Sequence, residues 1–315
     1  MKFAVAGAGA IGGYVGACLA RAGNDVTLFA RGPHLQAMQK NGLRVLSDDG
    51  DFEVRPNITG ELDSLADADV IFLGVKAHAL TELAPRLAPI IGTQTTVVSM
   101  QNGIPWWYDR LECVDPGGVI ARSIPPERIV GSIAYFATTL QGPGVIRHIE
   151  GNRLSLGEPG GTRSDRCKRI AEALIAGGIR APVTTRIREE IWVKLLGNAS
   201  FNPVSVLTRA TLAAMVRDPQ VGPLIRDIML EVQAVAQRLG IELPVSIDQR
   251  IAGAEKVGEH KTSMLQDLES GRPLELDEVV GAVVELGERV GVQTPVTRSI
   301  YACAKLLDRR SRACE

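Results

Sequence analysis

Three polar residues interrupt an otherwise apolar helical stripe: Lys194, Asn198 and Asn202 follow Ile187 and Ile191 at intervals of three or four. Such spacing places an ammonium and two carboxamides almost in line on one helical face. Polar groups on a stripe expected to be buried must find partners or face a ligand. The other open reading is a partly exposed face with the lysine stem reaching water. Further along stand Ser263 and, twelve residues on, Glu275. Taken singly, these read equally well as a helix-surface hydroxyl and as an acid favoured near a helix N-terminus.

A different chemistry is written near the start. Gly7-Ala8-Gly9-Ala10-Ile11-Gly12 is a G-x-G-x-x-G between an apolar run, Phe3–Ala6, and a helical pattern. Gly7 permits the tight turn, Gly9 lets the backbone approach a pyrophosphate, and Gly12 lets helix and strand pack closely. Free amides at the helix start then face the phosphate charge, so the loop predicts dinucleotide binding. The second strand ends Phe29-Ala30-Arg31-Gly32, with Arg31 where an NAD enzyme usually carries an acid. A guanidinium there pairs with the 2′-phosphate of NADP and favours NADPH; the alternative is a solvated loop arginine. Lys76 and Gln101-Asn102-Gly103 each follow an apolar strand pattern, at the carboxyl edge where open α/β sheets bind ligands. Singly, either reads equally as surface punctuation. Trp106-Trp107-Tyr108 comes next, and both cleft lining and local packing fit it.

These groups need elements to hold them. From Lys2 to about Pro182, short apolar runs alternate with amphipathic stretches, the signature of a mostly parallel sheet. Strands are expected at Phe3–Ala6, Asp25–Ala30, Val70–Val75 and Thr95–Ser99. A β-rich part covers 129–150 and 153–157, with Gly142-Pro143-Gly144 as its turn. After Pro182 the pattern becomes helical. Thr185 can cap a long helix that carries Lys194 and ends near Asn202, just before Pro203. Further helices are expected over 220–239, 244–270 and 275–290, and after Pro295. The expected fold is α/β: a Rossmann dinucleotide-binding domain over 1–183, then an all-α domain over 184–315.

Composition narrows the classes of function. The 315 residues suit two domains, with 45% apolar and 23% charged residues and a net charge of −1. No clustered basic face suggests nucleic acid; Arg309-Arg310-Ser311-Arg312 reads as a solvated tail. Neither a signal peptide nor a membrane-spanning run is visible. Cys18, Cys113, Cys167, Cys303 and Cys314 are scattered, as are His34, His78, His148 and His260. Reduced thiols in the cytoplasm are expected, and no metal site. Monomer and homodimer both remain open.

Gly7–Gly12, Arg31, Lys76, Gln101-Asn102-Gly103, the Lys194-x-x-x-Asn198-x-x-x-Asn202 row, Ser263-Met264-Leu265-Gln266-Asp267 and Gly271-Arg272-Pro273-Leu274-Glu275 together resemble the ketopantoate reductase (2-dehydropantoate 2-reductase) family. The resemblance runs from Met1 to about Leu307. It implies NADPH-dependent reduction of a small branched 2-oxo acid, ketopantoate to pantoate first in line, in a cleft between the two domains. Lys194 would be the general acid that meets the developing alkoxide. Asn198, Asn202 and Ser263 would hold the substrate's carboxylate and polar groups. Glu275 would bind the substrate hydroxyl and orient Lys194. Asn102 would sit near the nicotinamide or the reacting oxygen, and Lys76 near the cofactor or the substrate carboxylate. The chain departs from the family at Val280-Gly281, where members often carry Asn-Gly, and at Val296-Thr297, where Asn is frequent. Another 2-oxo or β-hydroxy acid, or NADPH binding without catalysis, are the competing expectations.

Overall fold

A computed structural model describes residues 1–313; the thiol of Cys314 lies outside the described residues. The chain forms two compact units, Met1–Gln101 with Gly117–Ile187, and Asn102–Pro116 with the residues from Arg188 onward. The single break expected near 183 is therefore replaced by three crossings. The physical reason is the aromatic segment after Gln101, which packs on helices of the second unit.

The first unit runs β1 (Lys2–Ala6), α1 (Ala10–Arg21), β2 (Asp25–Phe29), α2 (Gly32–Asn41), β3 (Leu43–Leu46), β4 (Phe52–Val54), β5 (Asn57–Thr59), β6 (Val70–Leu73), α3 (Leu80–Leu87), β7 (Thr96–Ser99), α4 (Val119–Ser123), β8 (Ile129–Gly142), β9 (Val145–Gly157) and α5 (Asp165–Ala176). One sheet results, in the order β4-β3-β9-β8-β7-β6-β1-β2-β5. From β8 across to β5 every pair is parallel. The run from Val70 to Leu73 and that from Thr96 to Ser99 are buried throughout, as strands inside a parallel sheet should be. β8 and β9 form the expected antiparallel hairpin, with Gly142 opposite Val145. β3, β4 and β5 add to the expected strands: β3 joins β9 in parallel, β4 caps that edge antiparallel, and β5 extends the other edge. Helix α1 buries Gly12 through Leu19 in the core beside Val5, Leu28 and Val130.

The second unit is helical: α6 (Ile187–Thr208, its first residue assigned to the other unit), α7 (Leu212–Arg217), α8 (Val221–Arg238), α9 (Ile247–Val257), α10 (Ser263–Glu269), α11 (Ala282–Val290) and α12 (Pro295–Ala313). Its core includes Trp192, Leu196, Ile228, Val232, Leu265 and Val283. The helix expected over 244–270 is two helices. Gly258, at φ +83°, ends α9, and the Thr262 hydroxyl accepts from Leu265 N–H at 3.2 Å to start α10. α7 is an addition, capped by Thr211. α6 continues past Pro203, so Asn202 lies inside the helix and not at its end. Thr185 stands two residues ahead of α6; the neighbouring Thr184 hydroxyl accepts from Arg186 N–H at 3.0 Å. A π-helical turn, Asp277–Gly281, leads into α11. The stretch expected to be a solvated basic tail is helical: Arg312 pairs with Asp308 one turn back in α12. Among the described residues no helix is long and apolar enough to cross a membrane, and no group of three His, Cys, Asp or Glu could hold a metal ion.

Candidate functional site

In the first unit the glycine loop sits between β1 and α1. Gly7 has φ +104°, and a Cβ there would stand 2.5 Å from Val75 Cγ1, so both the turn and its packing require glycine. The N–H groups of Gly7 and Ala8 donate to Phe29 O at 3.2 and 2.8 Å, tying the loop to the end of β2. His34 braces the other side. Its Nδ1 accepts from Gly144 N–H at 2.9 Å, so Nε2 carries the proton and donates to Ala8 O at 2.8 Å. Burial pushes the His34 pKa down, which keeps the ring in this neutral form. A lone histidine in a sequence carries no signal of such a role.

The loop's remaining geometry suits a dinucleotide. A Cβ built on Gly9 would meet nothing within 4 Å, so the backbone there is open to approach. Gly9 caps α1 with no side chain, leaving amides of the first turn directed outward. Gly12 lies so close to Gly7 that a Cβ would reach 2.3 Å from its carbonyl oxygen. Arg31 is the exposed N-cap of α2, at the carboxyl end of β2. Lys76 follows β6, half-buried, at the start of a 3₁₀ turn. Gln101 follows β7 and donates through Nε2 to Leu73 O and Val75 O, both at 2.9 Å. Its Oε1 is left buried without a partner, an acceptor still to be matched.

The second unit holds the predicted catalytic group. Lys194 Nζ donates to Asn102 Oδ1 at 2.8 Å, and Asn102 Nδ2 donates to Glu275 Oε2 at 3.3 Å. One amide thus joins the ammonium to the carboxylate, each end turned to the charge it suits. Asn102 is held by its neighbours. Gly103 has φ +81° and approaches so closely that a Cβ would lie 2.2 Å from Glu278 O, while Ile104 N–H donates to that same oxygen at 2.8 Å. Beyond it, Tyr108 OH accepts from Trp192 Nε1 at 2.7 Å, and Arg188 donates to Tyr108 O at 2.8 Å with its guanidinium over the ring. Trp106 and Trp107 are buried as well. The aromatic cluster is therefore a packing device that docks this segment on α6.

Asn102, Asn202, Ser263 and Glu275 border one cleft, with Met264 and Val279 as apolar wall. Ser263, the exposed first residue of α10, is positioned by a buried hydroxyl pair: Ser205 Oγ and Thr262 Oγ1 lie 2.6 Å apart and join α6 to α10. Asn198 is half-buried on the same helix, one turn from both Lys194 and Asn202, but does not border that cleft. The electrostatics are shaped by burial. Burial pushes Lys194 down to about 8; the charge of Glu275 opposes this and that of Arg250 adds to it. Burial, then the charge of Glu275, pushes the Glu278 carboxyl up to about 8. An ammonium that titrates near neutrality can hold or release a proton at working pH. Sequence reasoning missed Glu278 and Arg250, because neither belongs to a motif and only the tertiary fold brings their charges to bear here.

The match to known proteins agrees with this arrangement. Residues 3–161 match the family described as ketopantoate reductase PanE/ApbA, and residues 186–308 match its C-terminal part. A 2-dehydropantoate 2-reductase from Mesorhizobium japonicum is 49% identical over 318 residues, covering 98% of each chain. The crystal structure of a protein assigned as a ketopantoate reductase from Ralstonia solanacearum MolK2 is 39% identical, with TM-score 0.93 over 99% of this chain and 98% of that one. A D-mandelate dehydrogenase solved with NADH and anilino(oxo)acetate is 25% identical, with TM-score 0.86 and 99% of each chain covered. With both family segments matched in order, and a relative of 49% identity along nearly the whole chain, this protein belongs to the ketopantoate reductase family.

Proposed function

We propose that the protein is an NADPH-dependent reductase of a small branched 2-oxo acid, 2-dehydropantoate first, with Lys194 as the proton donor. The observation that carries this is the chain Lys194–Asn102–Glu275 beside a cleft bordered by Asn202 and Ser263. When bound, NADPH supplies the hydride. The first-turn amides of Gly7-Ala8-Gly9-Ala10-Ile11-Gly12 would hold its pyrophosphate and Arg31 its 2′-phosphate, with Lys76 and Asn102 as further cofactor contacts.

The chain's own groups perform the rest. Reduction of a ketone leaves negative charge on oxygen, and the Lys194 ammonium stabilises that charge and delivers its proton. General acid catalysis of this kind is worth about 10² to 10⁴ in rate. Glu275 holds Lys194 in place through Asn102 and accepts from the substrate hydroxyl. Asn202 and Ser263 donate to the carboxylate and polar groups from the border of the cleft, and Asn198, one turn back on α6, would add a donor outside that border, while Met264 and Val279 meet the branched carbon. The described cysteines are all free, which suits the reducing cytoplasm where we place the enzyme.

A second reading, reduction of another 2-oxo acid, is favoured by Val280 and by Val296-Thr297, where the resemblance implies that the family often carries Asn. A panel of 2-oxo acids, read by loss of NADPH absorbance, separates the two. Highest kcat/KM with 2-dehydropantoate supports the first reading, and a strong preference for another acid supports the second. NADPH binding without consumption across the panel would mean that the site no longer catalyses reduction.

A further inference from the structure

We propose that Arg250 is a substrate-binding residue, whose guanidinium, seated on Gly197 of α6, holds the carboxylate of the 2-oxo acid beside Lys194. This deepens the reductase reading and rests on it. A Cβ built on Gly197 would lie 2.1 Å from Arg250 Nη2, 2.5 Å from Nε and 2.7 Å from Cζ. The guanidinium therefore lies against the helix at a point that only glycine leaves open. Gly197 is three residues after Lys194 and directly before Asn198, so the fork rests on the turn that carries both.

The placement is fixed from the other side too. Arg250 belongs to the first turn of α9, which a capping box holds: Ser246 Oγ accepts from Gln249 N–H at 3.1 Å, and Gln249 Oε1 accepts from Ser246 N–H at 2.9 Å. Two cations in this neighbourhood repel one another, and the charge of Arg250 is felt at Lys194 as a pull toward deprotonation. A bound carboxylate reverses that balance, since it attracts both.

The reaction itself calls for a second, permanent cation. Lys194 loses its charge when it gives its proton to the substrate oxygen, whereas the substrate carboxylate stays charged throughout. A guanidinium keeps its proton at every working pH, and its planar fork matches a carboxylate through two parallel N–H donors. The carboxamides of Asn198 and Asn202 can orient that group but carry no charge.

The test compares 2-dehydropantoate with its uncharged lactone as substrates of the wild type, Arg250→Met and Gly197→Ala. Arg250→Met should raise KM for the acid by at least about 30-fold, the low end of the range for truncating one partner of a buried charge pair, with kcat and the lactone much less affected. Gly197→Ala keeps the charge but pushes the flexible fork aside, so acid KM should rise in the same direction by a smaller factor. In Arg250→Met the alkaline limb of kcat/KM should also move to higher pH, because a like charge near Lys194 is gone. Equal losses for acid and lactone, or unchanged acid KM in both variants, would overturn the assignment while leaving the reductase reading intact. A wild type that consumes NADPH with neither compound would remove that reading, and this one with it.

Discussion

Replacing Glu275 by Gln keeps the shape of the side chain and removes its charge, so it isolates what that charge does to Lys194. The reduction needs a protonated Lys194, so kcat/KM should fall as pH rises through about 8, where burial has brought this ammonium. Glu275 opposes that burial effect by favouring the charged amine. Two hydrogen bonds of 2.8 and 3.3 Å through the single amide of Asn102 set the distance between the charges. With that path spanning about 8 Å and an effective dielectric of about 20, the attraction is about 2 kcal/mol. Its loss moves the alkaline limb of kcat/KM down by about 1.5 pH units. The buried Glu278 carboxyl, held up partly by Glu275, ionises more readily in the variant and trims the shift. The assay is a pH–rate profile from about pH 6 to about pH 9 for wild type and Glu275→Gln. The deficit of the variant should grow by about tenfold between about pH 6 and about pH 8. Loss of the substrate hydrogen bond lowers the whole curve without moving its limb. A deficit constant with pH, or a limb displaced upward, would refute the coupling.

Lys194→Met should lower kcat by about 10² to 10⁴ while NADPH affinity, measured by fluorescence titration, changes little; an unaltered kcat would remove Lys194 from the chemistry. Arg31→Asp should weaken NADPH binding far more than NADH binding in the same titration, and equal losses would detach Arg31 from the 2′-phosphate. Gly103→Ala places a methyl 2.2 Å from Glu278 O on a backbone at φ +81°. It should cost at least about 1 kcal/mol in denaturant unfolding and lower kcat/KM through the displaced Asn102. Wild-type values of both would show that the close approach is not required.

How much of this was legible in the sequence depended on how local each signal was. β1, β2, β6 and β7 are short runs rich in apolar and β-branched residues, and G-x-G-x-x-G names its own turn, so both could be read directly. The row Lys194, Asn198, Asn202 was visible because helical spacing is local, although the continuation of α6 through Pro203 was not. β3, β4 and β5 are three or four residues long, and pairing of β3 with β9, of β4 with β3 and of β5 with β2 makes them strands. Asn102 was marked by its place after β7, but its membership of the second unit depends on Tyr108 meeting Trp192, 84 residues away. His34 and Arg250 lay beyond reach for the same reason, since each acts through a group far off in the chain; Glu278 lay beyond reach because its raised carboxyl depends first on burial, which the sequence does not show.

The π-helical turn Asp277–Gly281 has a consequence for how the Glu275 carboxylate is aimed. A wide turn accommodates one residue more than an α-helix would over the same rise, without ending the helix. Removing a residue there would leave α11 in its own packing yet swing whatever precedes it by about 100° around the axis. Glu275 stands just before that turn, so its bearing on Asn102 is a matter of loop length as much as of residue identity. Insertions and deletions at this point are therefore a coarse steering control over the carboxylate, available without touching any side chain that does the chemistry.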